Sequence, residues 1–162
     1  MATITFKNGD DYLFKLSKLE AASRDEICGG AIYAGAAIVT DAIRSELEAL
    51  PTDEGFGTPE KPLKGLKTVQ KEDLLKSLGI ASMKDDGTGF LNVKIGFDGY
   101  NRLTTKKWPR GQPNQMIARA AESGTTFLLK NEFVKRAARK SRKKALAIME
   151  KKVQEGIEKI MK

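Results

Sequence analysis

The chain has 162 residues, 40% hydrophobic and 31% charged, which excludes a disordered polypeptide and allows one domain whose core needs neither disulfide nor metal. It carries 29 Lys/Arg against 21 Asp/Glu, a net charge of +8, and no histidine. That absence removes Ser-His-Asp and Cys-His catalysis and every His-ligated zinc site, so an enzyme is not expected.

The start, MATITFKNGDD, has no charged leader or apolar core of a signal peptide, and no apolar run approaches the roughly 20 residues that span a bilayer. No membrane partner is expected, and a cytoplasm is the expected site of synthesis. Residues 3–7 alternate as a short strand, and Asn8-Gly9 marks a turn. From Tyr12 to Ala22, Leu13, Leu16 and Leu19 predict a short amphipathic helix. Ser23-Arg24-Asp25-Glu26 has the S-x-x-E form of a capping box, which predicts the start of a second, longer helix ending at Pro51. Its apolar stripe is Ile27, Ala31, Ala34, Ile38, Ala42, Ile43, Leu47 and Leu50; Asp41, Arg44, Glu46 and Glu48 take the wet side. Small residues crowd its first half, as suits close helix packing on a sheet or a neighbouring subunit. The single cysteine, Cys28, excludes an internal disulfide and reads as a buried structural thiol among apolar neighbours.

Residues 51–65 carry three prolines and three glycines and form a loop. A short helix over 71–78 is expected to close at Gly79. Strands over 80–84 and 90–97 then flank the hairpin loop Asp85-Asp86-Gly87-Thr88-Gly89, which lacks the spaced ligands of a calcium loop. Residues 98–114 form a long polar loop in which Lys106, Lys107 and Arg110 surround the only tryptophan, Trp108. An aromatic among cations suits a nucleic-acid strand or an acidic protein surface, and equally an anchor for its own loop. Met116, Ile117, Ala120 and Ala121 predict a short helix ended by Gly124, and Thr125–Leu129 a further strand. Phe133 opens a last helix, over about 131–161, with a narrow seam of Leu146, Met149, Val153, Ile157 and Ile160. The fold class is α+β: a small, mainly antiparallel sheet packed against a long N-terminal and a long C-terminal helix, in a single domain over 1–162.

The charge is uneven. Residues 130–162 hold twelve Lys/Arg and four Asp/Glu, while residues 1–129 hold seventeen of each. Lys135, Arg136, Arg139, Lys140, Arg142, Lys143 and Lys144 form a run with no acid between them. Such a run is a solvated helix face or a sequence-independent grip on nucleic acid. Phosphate-loop, dinucleotide and paired-cysteine metal motifs are absent from the sequence, and no cofactor is expected. Beside Ser123 nothing obvious would activate a nucleophile. Gly124 and Thr125 are expected to shape a tight turn, with Glu122 receiving backbone or cationic partners.

The segment Ile117-Ala118-Arg119-Ala120-Ala121-Glu122-Ser123-Gly124-Thr125-Thr126-Phe127, followed by Asn131-Glu132-Phe133-Val134, resembles a signature of long-tailed phages. There an E-x-G-T element precedes a P-F-x-x-P-A element that opens the last helix. Glu122, Gly124, Thr125 and Phe133 are matched; both prolines are missing, with Glu132 before Phe133 and Lys135-Arg136 after Val134. Leu50-Pro51 at a helix end, Lys76–Ile80, Val93–Phe97, Asp98–Asn101 and Lys107–Asn114 follow in the family's order. The chain is therefore similar, over most of residues 10–150, to the gene-10-product-like family of minor tail or tail-completion components, in the branch of phages and prophages of Gram-positive bacteria. The resemblance implies a non-enzymatic virion protein of the neck or upper tail that joins head and tail. It implies a homo-oligomeric ring, commonly sixfold, assembled in the host cytoplasm. Neighbouring connector or head-completion proteins, tail-tube or tail-terminator proteins, and the DNA in the channel are the implied partners.

Overall fold

The computed structural model describes residues 9–85, 87 and 90–162. The strand expected at 3–7 and the turn at Asn8 lie outside them, as do residues 86, 88 and 89 of the expected hairpin loop. Helix α1 (Gly9–Ala22), a π-helical turn (Ser23–Cys28) and α2 (Gly29–Glu48) follow one another without a break. Together they make a rod of about 60 Å at 1.5 Å per residue. Two sequence expectations fail here. Ser23 does not cap a new helix: its hydroxyl donates back to the Glu20 carbonyl at 2.8 Å, so the chain stays helical through the S-x-x-E motif. Cys28 is exposed rather than buried, because the widened turn sends Ile27 inward, at 7% exposure, and its neighbour outward. Asp25–Glu48 is also long and apolar enough to cross a membrane by length and composition. Counting unbroken apolar runs missed this, since interleaved Gly, Thr and Ser interrupt the run without making the helix polar.

The rod packs along α5 (Phe133–Met161). The two run antiparallel. Ile27 meets Gly156, Gly35 meets Met149, and Glu46 meets Arg136 and Lys140. Met149, Val153, Ile157 and Ile160 of the expected seam are half-buried, and Leu146 alone departs from it. Phe133, Ala137, Ser141 and Ala145 are the buried residues of α5, and Leu146 is 56% exposed. Small side chains on both helices let the axes approach closely, so a bulky leucine is displaced to the rim.

At the far end of this hairpin a compact head forms. Helix α3 (Thr68–Ser77) passes directly into β1 (Leu78–Ile80), so Gly79 lies in a strand and does not terminate the helix. β1 pairs antiparallel with β4 (Ile95–Phe97), Leu78 opposite Phe97, and β2 (Lys84–Asp85) pairs with β3 (Leu91–Asn92). Helix α4 (Asn114–Ser123) follows the long loop. Thr125–Leu128 is a tight turn, with Thr125 and Leu128 bonded through their own backbones, rather than the expected strand. The core joins Ile43, Leu47 and Leu50 of the rod's end to Leu66, Leu74, Leu78, Ile117, Ala121 and Phe133. Phe133, Leu47 and Leu74 are its largest fully buried side chains. The Lys71 ammonium donates to the Glu48 and Leu50 carbonyls at 2.7 Å each, closing the C-terminal end of α2. The fold is α+β, with small antiparallel strand pairs set against long N- and C-terminal helices.

Candidate interaction surfaces

The signature residues sit together where α4 hands over to α5. Glu122 Oε2 accepts the Val134 N–H at 2.8 Å and Oε1 accepts the Lys135 N–H at 3.1 Å. A helix begins with N–H groups that have no partner within it, and the carboxylate supplies two acceptors at the positive end of the helix dipole. Glu132, the residue before the helix, is left-handed at φ 51° and makes no side-chain cap. Glu122 caps α5 from another element. Each of its two oxygens accepts one backbone N–H of the first turn of α5.

Gly124 has φ 75°, and a Cβ there would meet the Lys130 nitrogen at 2.9 Å. Both facts require glycine, and they let the 124–131 loop fold back so that the Asn131 N–H reaches the Ala121 carbonyl at 2.9 Å. Thr125 Oγ1 accepts the Phe127 N–H at 3.2 Å inside the tight turn. Phe133 is buried edge-to-face against Phe97, with ring centroids 6.2 Å apart. The four residues thus form one joint that holds α4, α5 and the β1–β4 pair.

Lys106, Lys107 and Arg110 are exposed and Trp108 is half-buried. The turn is closed by reciprocal backbone bonds between Thr105 and Trp108, at 3.1 and 3.0 Å, and Lys107 Nζ lies 6.0 Å from the Trp108 ring. The base of the loop is fixed by Asp73, which accepts from the Arg102 backbone at 2.8 Å and its Nε at 2.7 Å. The backbone bonds of Trp108 close the turn, and the cations are exposed beside it.

The basic run divides into two groups. Arg136 and Lys140 turn toward α2, where Glu46 accepts from them at 2.9 and 2.5 Å. Glu46 and Arg44 therefore leave the wet face expected of them: both are half-buried, and Arg44 donates to the Leu75 carbonyl at 2.9 Å. The hydrogen bonds from Lys140 and Arg136 hold the Glu46 carboxyl below its ordinary value of 4.5. Lys135 shares Glu132 with Lys130. Arg139, Arg142, Lys143 and Lys144 are exposed, and among the described residues none has an acid partner. The sequence could not separate these groups, because the partners lie on other elements, 90 and 94 residues away for Glu46.

Exposed apolar side chains lie at both ends of the molecule, among them Leu13 of the apolar stripe expected for the first helix. Tyr12, Leu13 and Phe14 of α1 are 56%, 63% and 58% exposed. In the head, Phe56 is 91% and Phe127 52% exposed. Among the described residues no group of three or more Cys, Asp or Glu is placed to hold a metal ion. The chain matches no family model, no curated protein and no solved structure.

Proposed function

We propose that the chain is a non-enzymatic structural subunit of a tailed-phage virion, a head–tail joining or tail-completion component of the neck that works as a member of a ring. The observation that carries an assembly role is the unspent surface. Large apolar side chains, Leu13 and Phe14 at one end and Phe56 and Phe127 at the other, lie open among the exposed residues. Apolar surface of this kind, carried on a rod with a head, is what a subunit buries against neighbours. The resemblance of the E-x-G-T joint and the ordered segments around it supplies the virion. The joint's position supports a structural part for these residues, since Glu122, Gly124, Thr125 and Phe133 all act on the path of the chain.

Size-exclusion chromatography with light scattering, alone and with the cognate connector and tail-tube proteins, tests the proposal. A closed oligomer or a stable complex with either partner is expected. A chain that stays monomeric with both present overturns it.

A further inference from the structure

We infer that the unpaired stripe Arg139, Arg142 and Lys143 on α5 is a binding face for the phosphate backbone of duplex nucleic acid, independent of base sequence. The inference goes beyond the assembly role and rests on charge geometry alone. Several helical cations are paired, Lys151 and Lys152 with Glu155, Lys15 with Asp11, and Arg136 and Lys140 with Glu46, and the exposed Lys76, Arg119 and Lys159 stand singly, so the stripe is distinguished by its clustering on one face. Arg139, Arg142 and Lys143 stand three and four residues apart, so they share one face. They are exposed. Lys135 continues the same face one turn earlier, and Lys144 flanks it. From Phe133 to Met149 α5 contains no acid, so each of these cations is repelled by its neighbours along the helix and by the rest of the run.

A line of external anions relieves that repulsion. Three cations within about 6 Å of helix axis face a duplex that carries one charge per about 1.7 Å. Their guanidinium forks and ammonium groups suit phosphate oxygens, and release of condensed counterions supplies the driving force. Acidic protein surfaces offer the same sign of charge at lower and irregular density, which favours the polynucleotide. The stripe occupies the head half of α5. Beyond it Glu150, Glu155 and Glu158 balance the helix, so binding is confined to one end of the rod.

The test is fluorescence anisotropy of the full chain with two labelled 30-base-pair duplexes of unrelated sequence, between 50 and 200 mM salt. Both duplexes are expected to bind alike, with log K falling against log salt at a slope of about −3 for three phosphates. Arg139→Gln, Arg142→Gln and Lys143→Gln combined should weaken binding at least tenfold at 50 mM salt and flatten the slope, with circular dichroism unchanged. Lys151→Gln with Lys152→Gln should leave binding within about twofold, since both are already paired. Absence of wild-type binding at 50 mM salt, an undiminished triple variant, or tight binding to poly-glutamate without binding to either duplex overturns the inference.

Discussion

Gly35 of α2 lies so close to Met149 of α5 that a Cβ at position 35 would come within 2.6 Å of the methionine sulfur. The contact sets the spacing of the long helical hairpin. Met149 is flexible, so a single methyl can be accommodated by a rotamer change, and alanine is also the better helix former. Gly35→Ala is therefore expected to stay within about 1 kcal/mol of wild type. Gly35→Leu should cost about 2–3 kcal/mol by overpacking, and Met149→Ala should restore part of that loss. Thermal melts of the single and double variants check this through the coupling between the two sites. Strict additivity would show that the two side chains do not share the space.

Glu122→Ala removes both acceptors from the first turn of α5. A lost cap costs about 1–2 kcal/mol, which for a chain of this size lowers Tm by roughly 3–6 °C. Glu122→Gln keeps one acceptor oxygen and loses the charge, so it should fall between the two. Differential scanning calorimetry at neutral pH ranks the three proteins, and an alanine variant as stable as wild type would remove the capping role.

The Glu46 clamp predicts a pH dependence with a definite sign. Its carboxyl is held below 4.5 by Lys140 and then Arg136. A depressed folded-state value means the stabilisation is present above the unfolded value and is lost as pH falls through the folded one. Glu46→Gln should cost about 1 kcal/mol at pH 7, reduced by the exposure of its partners. The Tm difference between wild type and variant should close on acidification below about pH 4.5. A gap that persists at pH 2.5 contradicts the assignment.

Gly111 holds the base of the 98–114 loop at φ 86°, where a Cβ would fall 1.8 Å from the Asn101 carbonyl oxygen. Gly111→Ala cannot be relieved by a side-chain movement, because the obstacle is backbone. The loop should rearrange while the helical hairpin persists. Trp108 is the only tryptophan, so its emission reports the loop alone; a red shift with little loss of helical ellipticity is expected.

Cys28 is exposed. One thiol per chain should react with Ellman's reagent in native buffer without denaturant, at a rate close to that of the unfolded protein. Protection that disappears only on unfolding would place the thiol inside.

Local signals carried the helices well. The apolar periods around Leu47 and Ile117 and the glycine at 124 located α2 and α4, and Phe133 opened α5 as expected. The signals failed wherever a partner distant in sequence decided the outcome. Ser23 and Glu26 satisfied the rule for a helix start, yet the preceding helix was already present and kept the serine hydroxyl for its own carbonyl. Leu146 fitted an apolar seam, but the close approach of Ala137, Ser141 and Ala145 to α2 turned it outward. Cys28 followed an unexpected π-helical turn that no residue in the sequence announces. In the basic run the sequence provided the charge, while only the position of Glu46 showed which cations were already neutralised.

The pairing of α2 with α5 also governs how the chain reaches its structure. Glu46 meets its cations across 90 and 94 residues, and Lys15 Nζ lies 3.4 Å from the Lys162 carbonyl oxygen across 147. An all-local helical hairpin closes in microseconds, but this one must first close a loop that contains the whole head. During synthesis the apolar face of α2 leaves the ribosome long before α5 exists to cover it. Because Phe133 of α5 also completes the core of the head, neither half is finished until α5 is made, and the half-made chain is the species most prone to aggregate.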